Sequence, residues 1–206
     1  MTWRDDIRLV PTRNRELIGR LIGQRIVRLV HYAECSPAEL LANEAYAARR
    51  VMASQLFSMA DGPVLLQADA TAACIGYSWE LVSVTLEAPD EEVLKADWPV
   101  EIDATDPTLS EPRFARTIGR TIVGAHIMQR TVDPERLVET TETGIRVMAA
   151  KILDRPRESL LVMDLDDGNS LLFGADVLDA PNDFAVMTGE DVAGRRSRHH
   201  ELVRVP

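Results

Sequence analysis

The densest run of potential chemistry is Asp164-Leu165-Asp166-Asp167-Gly168-Asn169, where clustered side-chain oxygens could hold Ca²⁺ or Mg²⁺. The spacing argues otherwise. In a strand, Asp164 and Asp166 share one face and Asp167 turns away, and no distal Glu completes a ligand set. Asp-Gly between two apolar runs instead signals a tight hairpin turn. Of the four histidines, His31 and His126 fall in matching segments but are one residue out of register. They therefore face opposite sides of their strands and read as structural. His199-His200 sits in an Arg-rich tail and carries no metal pattern. Cys35 and Cys74 lack zinc spacing and read as reduced, buried thiols. Glu39, Glu44, Glu135 and Glu139 fall near helix starts, where acids favour the first turn. There is no Gly-x-Ser-x-Gly elbow, phosphate loop or dinucleotide fingerprint. The expectation is a protein with no catalytic residues, no metal and no cofactor.

The elements that position these residues come in two sets. Shifting the chain by 96 to 98 residues places Ile22–Val27 on Ile118–Val123, Pro37 on Pro134, Arg50-Val51-Met52-Ala53 on Arg146-Val147-Met148-Ala149, Val64–Asp69 on Leu161–Asp166, and Ile75-Gly76 on Phe173-Gly174. Each set opens with a strand (24–32 and 120–128). A capped helix start follows, Ser36-Pro37 or Asp133-Pro134, with Pro at a position whose N–H is unpaired anyway. Then come the element holding Arg-Val-Met-Ala and three strands, at 64–69, 72–77 and 80–86 and at 159–166, 169–174 and 183–188. Residues 38–60 lack Gly and Pro, which favours one long helix. Their counterpart, broken at Thr140–Gly144, favours a short helix and then a strand from 145 to 153. The expected fold class is α+β, mainly antiparallel β-sheet with few helices, in two pseudo-repeated halves. The segments are an N-terminal basic stretch (1–16), a first half (17–88), an acidic Pro-containing joint (89–112), a second half (113–190) and an Arg/His tail (191–206).

Charge is unevenly spread. The 206 residues carry a net −10. Residues 87–112 hold nine acids against Lys95 alone, a net of −8, while residues 1–30 hold seven arginines against three acids, a net of +4. This field disfavours direct nucleic-acid binding and attracts basic partners. The joint's acids, with Trp98 as an apolar anchor, form the candidate partner-binding set: Asp90, Glu91, Glu92, Asp97, Trp98, Glu101, Asp103 and Asp106. A solvated linker docked on the chain's own arginines is the competing reading. No apolar run is long enough to span a bilayer and no signal peptide is visible, so a cytoplasmic, membrane-free protein is expected.

The sequence Ile118 to Val123, a short helix, the hairpin from Leu160 to Phe173, and Asp183 to Val186 resembles the small β-rich domains of bacterial immunity proteins. The resemblance implies a non-catalytic protein that binds a basic, nucleic-acid-targeting toxin domain and occludes it. Two alternatives stand beside it. One is a duplicated structural or assembly module, monomeric or homodimeric. The other is a small-ligand binder or enzyme with a cleft between the halves, lined by His31, Tyr32, Tyr77 and Trp79.

Overall fold

A computed structural model of the chain describes residues 8–78, 83–130, 140–141, 144–145, 157–174, 184–192 and 201–205. Two five-stranded antiparallel sheets dominate it. The first has the order β4-β3-β2-β1-β5, with β1 (Ile26–Ala33), β2 (Val64–Ala68), β3 (Ala72–Ser78), β4 (Ser83–Glu87) and β5 (Val100–Asp103). The second has the order β11-β10-β9-β6-β12, with β6 (Ile122–Arg130), β9 (Arg157–Leu165), β10 (Ser170–Gly174), β11 (Ala185–Thr188) and β12 (Glu201–Val205). A two-stranded ribbon, β7 (Thr140–Thr141) and β8 (Gly144–Ile145), belongs to neither sheet. The fold is α+β and mainly antiparallel sheet, and all the expected strands that fall on described residues are present within about two residues.

The inward faces of the two sheets share one core. Ile26, Leu29, Leu66 and Ile75 of the first and Ile122, Ile127, Leu161 and Phe173 of the second belong to the same buried cluster. Burying each such side chain contributes about 1.5–3 kcal/mol. The seam between the sheets is a main-chain exchange. Arg25 and Thr121 form an antiparallel bridge. Around it Gly23 N–H donates to Ile122 O (2.7 Å), Gly119 N–H to Ile26 O (2.8 Å), Ile26 N–H to Arg120 O (2.8 Å) and Ile122 N–H to Gln24 O (2.9 Å). Every bond has its mate 96 positions along the chain. Gly23 and Gly119 adopt the left-handed backbone that glycine tolerates, at φ +83° and +84°.

The hairpin at 166–169 closes as expected. Gly168 has φ +83°, Leu165 N–H donates to Asn169 O (2.8 Å), and the Asp167 side chain accepts from Asn169 N–H (3.0 Å). The acids have structural partners: Asp164 accepts from Ser170 Oγ (2.9 Å) and pairs with His126 (3.3 Å), and Asp167 pairs with Arg120 (3.3 Å).

Residues 38–60 take neither expected form. After the first helix of the chain, α1 (Arg15–Leu21), they make short segments: α2 (Pro37–Ala42), α3 (Glu44–Arg49), a 3-10 turn (Ala53–Gln55) and α4 (Leu56–Met59). The Ser36–Glu39 capping box starts α2. Asn43 then accepts from Ala45 N–H (2.9 Å), a local bond that ends one helix and caps the next. Arg50 at φ +55° stops α3, so Arg50-Val51-Met52 forms no strand. The counterpart motif at 146–149 and the Asp133-Pro134 cap lie outside the described residues.

Candidate functional site, an acidic helix over the first sheet

The acidic joint is built into the fold. Its first part is α5 (Glu91–Asp97), started by Asp90, whose carboxylate accepts from the N–H groups of Glu92 and Val93 (both 3.2 Å). Pro89 and Pro99 bracket the helix, and Glu91 and Glu92 favour its first turn. Leu94 turns inward onto Val30, Tyr32, Leu65 and Cys74, the outward face of the first sheet. Trp98 is half-buried beside them. It lies so close to Gly62 that an added Cβ there would stand 2.7 Å from the indole and 2.6 Å from Tyr32 O. The joint then supplies β5, antiparallel to β1, with Ile102 opposite His31 and Val100 opposite Ala33. The short helix α6 (Pro112–Ala115) follows.

Of the eight expected partner-binding residues, the seven acids therefore divide into two groups, with Trp98 apart from both. Asp90, Glu91, Glu92 and Asp97 are exposed on α5. Glu91 pairs with Lys95 (3.4 Å), whereas among the described residues Glu92 and Asp97 have no ion-pair partner. Glu101, Asp103 and Asp106 are engaged by the chain itself. Arg28 reaches Glu101 (2.8 Å) and Asp103 (3.1 Å). Asp103 also accepts from Thr105 Oγ1 (2.7 Å), and Asp106 from Thr108 Oγ1 (2.7 Å). Burial pushes the Asp103 carboxyl up, but the Thr105 and Arg28 contacts outweigh it and hold it below the usual range. Trp98 serves chiefly to cover the sheet. Tyr32 lies beneath this group, its hydroxyl 3.4 Å from Glu101; burial and the nearby Glu101 and Glu91 charges push its pKa up to about 12.

Sequence reasoning missed Val93, which is 53% exposed on α5. Helical spacing places it between Asp90 and Asp97, three residues before and four after, so one face carries an apolar centre with an acidic rim. The signal was the inward turn of Leu94, which sends its neighbour outward. Arg28, one of the N-terminal arginines that the competing reading set against the joint, is the partner of the β5 acids; spacing did not single it out across 73 and 75 residues.

Of the proposed cleft residues, His31 and Tyr77 both pack on Phe184, and Tyr32 does not join them. His31 and Tyr32 are successive strand residues on opposite faces of β1. His31 is buried in the shared core, its Nδ1 2.6 Å from Phe57 O and its Nε2 2.9 Å from Gly62 O, edge-on to Phe57 and Phe184. Burial lowers its pKa despite these two carbonyls. Tyr77 stacks on Phe184 (6.4 Å), and Trp79 lies outside the described residues. Cys35 and Cys74 are free thiols; Cys74 is buried, and that burial raises its pKa to about 12, while Cys35 is only partly buried. Among the described residues no cluster of three metal-ligating side chains occurs, and no helix is long and apolar enough to cross a membrane.

Fold and surface together define a two-sheet α+β protein with an acidic helix laid over its first sheet. No protein family, curated protein or solved structure matches the chain.

Proposed function

We propose that this chain is a non-catalytic binding protein that presents α5 to a basic protein partner, and that the partner is a toxin domain it neutralises, in the manner of a bacterial immunity protein. The observation that carries this reading is the face of α5, where exposed Val93 lies between Asp90 and Asp97, and where Glu92 and Asp97 have no ion-pair partner among the described residues. Such a face steers a cationic surface by long-range attraction and seats it on an apolar centre. Toxins that act on nucleic acid carry cationic clefts for phosphate, which gives the acidic helix a chemically matched target.

The test is capture from a lysate of the source cells at low and then high salt, by the wild-type chain and by the Glu91→Lys/Glu92→Lys/Asp97→Lys variant. Asp90 is left in place because it caps the helix. The expected result is one basic protein, held by wild type at low salt, released at high salt, toxic when expressed alone, and lost from the variant. Equal retention by both chains contradicts the reading of α5. Capture of a non-toxic basic protein contradicts the immunity role and keeps the binding face.

A further inference from the structure

We propose that His31 is a pH-sensitive tether for the seat of α5: when its ring gains a proton it takes hold of Gly62, the residue against which Trp98 rests. This concerns the support of the helix, and it stands whether or not the partner of α5 is a toxin domain.

The ring has too few protons for its surroundings. His31 is fully buried, and each ring nitrogen faces a main-chain carbonyl, Nδ1 that of Phe57 at 2.6 Å and Nε2 that of Gly62 at 2.9 Å. A neutral imidazole has one N–H and donates to one of the two; the imidazolium donates to both. At 2.6 Å two lone pairs repel unless a proton lies between them, which puts the N–H of the neutral ring on Nδ1. Nε2 then meets Gly62 O without a proton, and among the described residues no other donor reaches that oxygen. Protonation of Nε2 turns this contact into a charge-assisted hydrogen bond.

Gly62 connects the ring to the surface. Its N–H donates to Tyr32 O (3.1 Å), which ties it to β1. An added Cβ would stand 2.7 Å from Trp98 Cε3 and 2.9 Å from Cδ2, so one α-hydrogen points at the indole. Trp98 N–H in turn donates to Leu94 O (2.8 Å) and closes the last turn of α5. Ring, glycine and indole are thus in direct sequence, and the ring supplies two discrete states to transmit.

The neighbours leave the ring to act alone. Val64 of β2 and Ile102 of β5 lie opposite it, Phe57 and Phe184 stand edge-on, and Tyr77 stacks on Phe184. Among the described residues the acid whose charge reaches the ring is Asp61, next to Gly62, which accepts from Glu34 N–H (3.4 Å). Burial lowers the pKa below the ordinary histidine value, against the two carbonyls and Asp61, which favour the cation. At neutral pH the tether is therefore open, and acid closes it. Closing costs the fold stability, because a charge enters the core.

An NMR titration of the full-length chain from about pH 8 to about pH 4.5 tests the proposal without any partner. The ring nitrogens of His31, the α-hydrogens of Gly62 and the indole N–H of Trp98 are expected to shift with one midpoint, below 6.5. The amide of Gly168, in the second sheet, should not follow them. At the high-pH end the ring proton should sit on Nδ1. Coupling between two sites is reciprocal, so Trp98→Phe should move the His31 midpoint by at least about 0.3 pH units, twofold in proton affinity. His31→Gln should abolish the response at Gly62 and Trp98; if that chain fails to fold, the wild-type titration and the Trp98→Phe midpoint decide. A neutral ring protonated on Nε2 overturns the proposal. So does a ring that stays neutral until the chain unfolds, a Gly62 and Trp98 that ignore its titration, or a midpoint unchanged in Trp98→Phe.

Discussion

The helix and the strand of the acidic joint both carry carboxylates and differ in what those carboxylates face. On α5, Glu92 and Asp97 look into solvent. On β5, Glu101 and Asp103 lie against Arg28, and past the strand Asp106 accepts from Thr108. Sheet pairing accounts for the split. Joining β1 brings β5 alongside Arg28, whereas α5 packs on the sheet through Leu94 and Trp98 and leaves Glu92 and Asp97 exposed. A run of acids in a sequence is thus one feature by composition and two by structure: Arg28 meets the acids of β5, while Glu92 and Asp97 stay exposed on α5.

The comparison can be broken most severely at the anchor. Leu94→Ala is expected to cost about 2–4 kcal/mol by opening a cavity beneath α5, and to weaken partner capture along with stability. Chemical denaturation followed by far-UV circular dichroism reads the first effect. Removing the cap with Asp90→Ala should cost about 1 kcal/mol and fray α5 alone, visible as faster amide exchange at 91–94 with β5 unchanged. Arg28→Ala sharpens the contrast from the other side. It leaves Glu101 and Asp103 unpaired and should cost up to about 1 kcal/mol, given that these groups are partly exposed, with added salt recovering part of the loss. Smallest in stability is Val93→Ser, expected within about 0.5 kcal/mol of wild type, yet weakening partner binding several-fold.

The core supplies a pH control of its own. His31 has its pKa lowered by burial, so the native state favours the neutral ring. The stabilising contribution is present above the unfolded-state pKa and is lost as pH falls below it. Melting temperature should therefore drop as pH falls below about 6.5, the ordinary histidine value, and His31→Gln should flatten that dependence. A pH profile identical in the two chains would mean that His31 does not control it.

The strands were legible in the sequence because apolar runs bounded by Gly and Asp leave little freedom, as the hairpin at Gly168 shows. The opposite facing of His31 and His126 followed from a one-residue register difference. The 38–60 segment was not legible: its Ala-rich composition favours a long helix, and only the side chain of Asn43 and the left-handed Arg50 cut it into pieces. The site was half legible. Composition located the acids, but whether each meets solvent or Arg28 depends on pairing between residues more than seventy positions apart. Val93 stayed hidden because a lone valine in a short helix reads as core until Leu94 is seen to occupy that role.

The central claim, that α5 and not β5 meets the partner, is tested most directly by hydrogen–deuterium exchange of the complex with the captured basic protein. The account predicts new protection at residues 90–98 and exchange at 100–111 that matches the free chain. Protection confined to 100–111, with α5 exchanging as in the free protein, would contradict it.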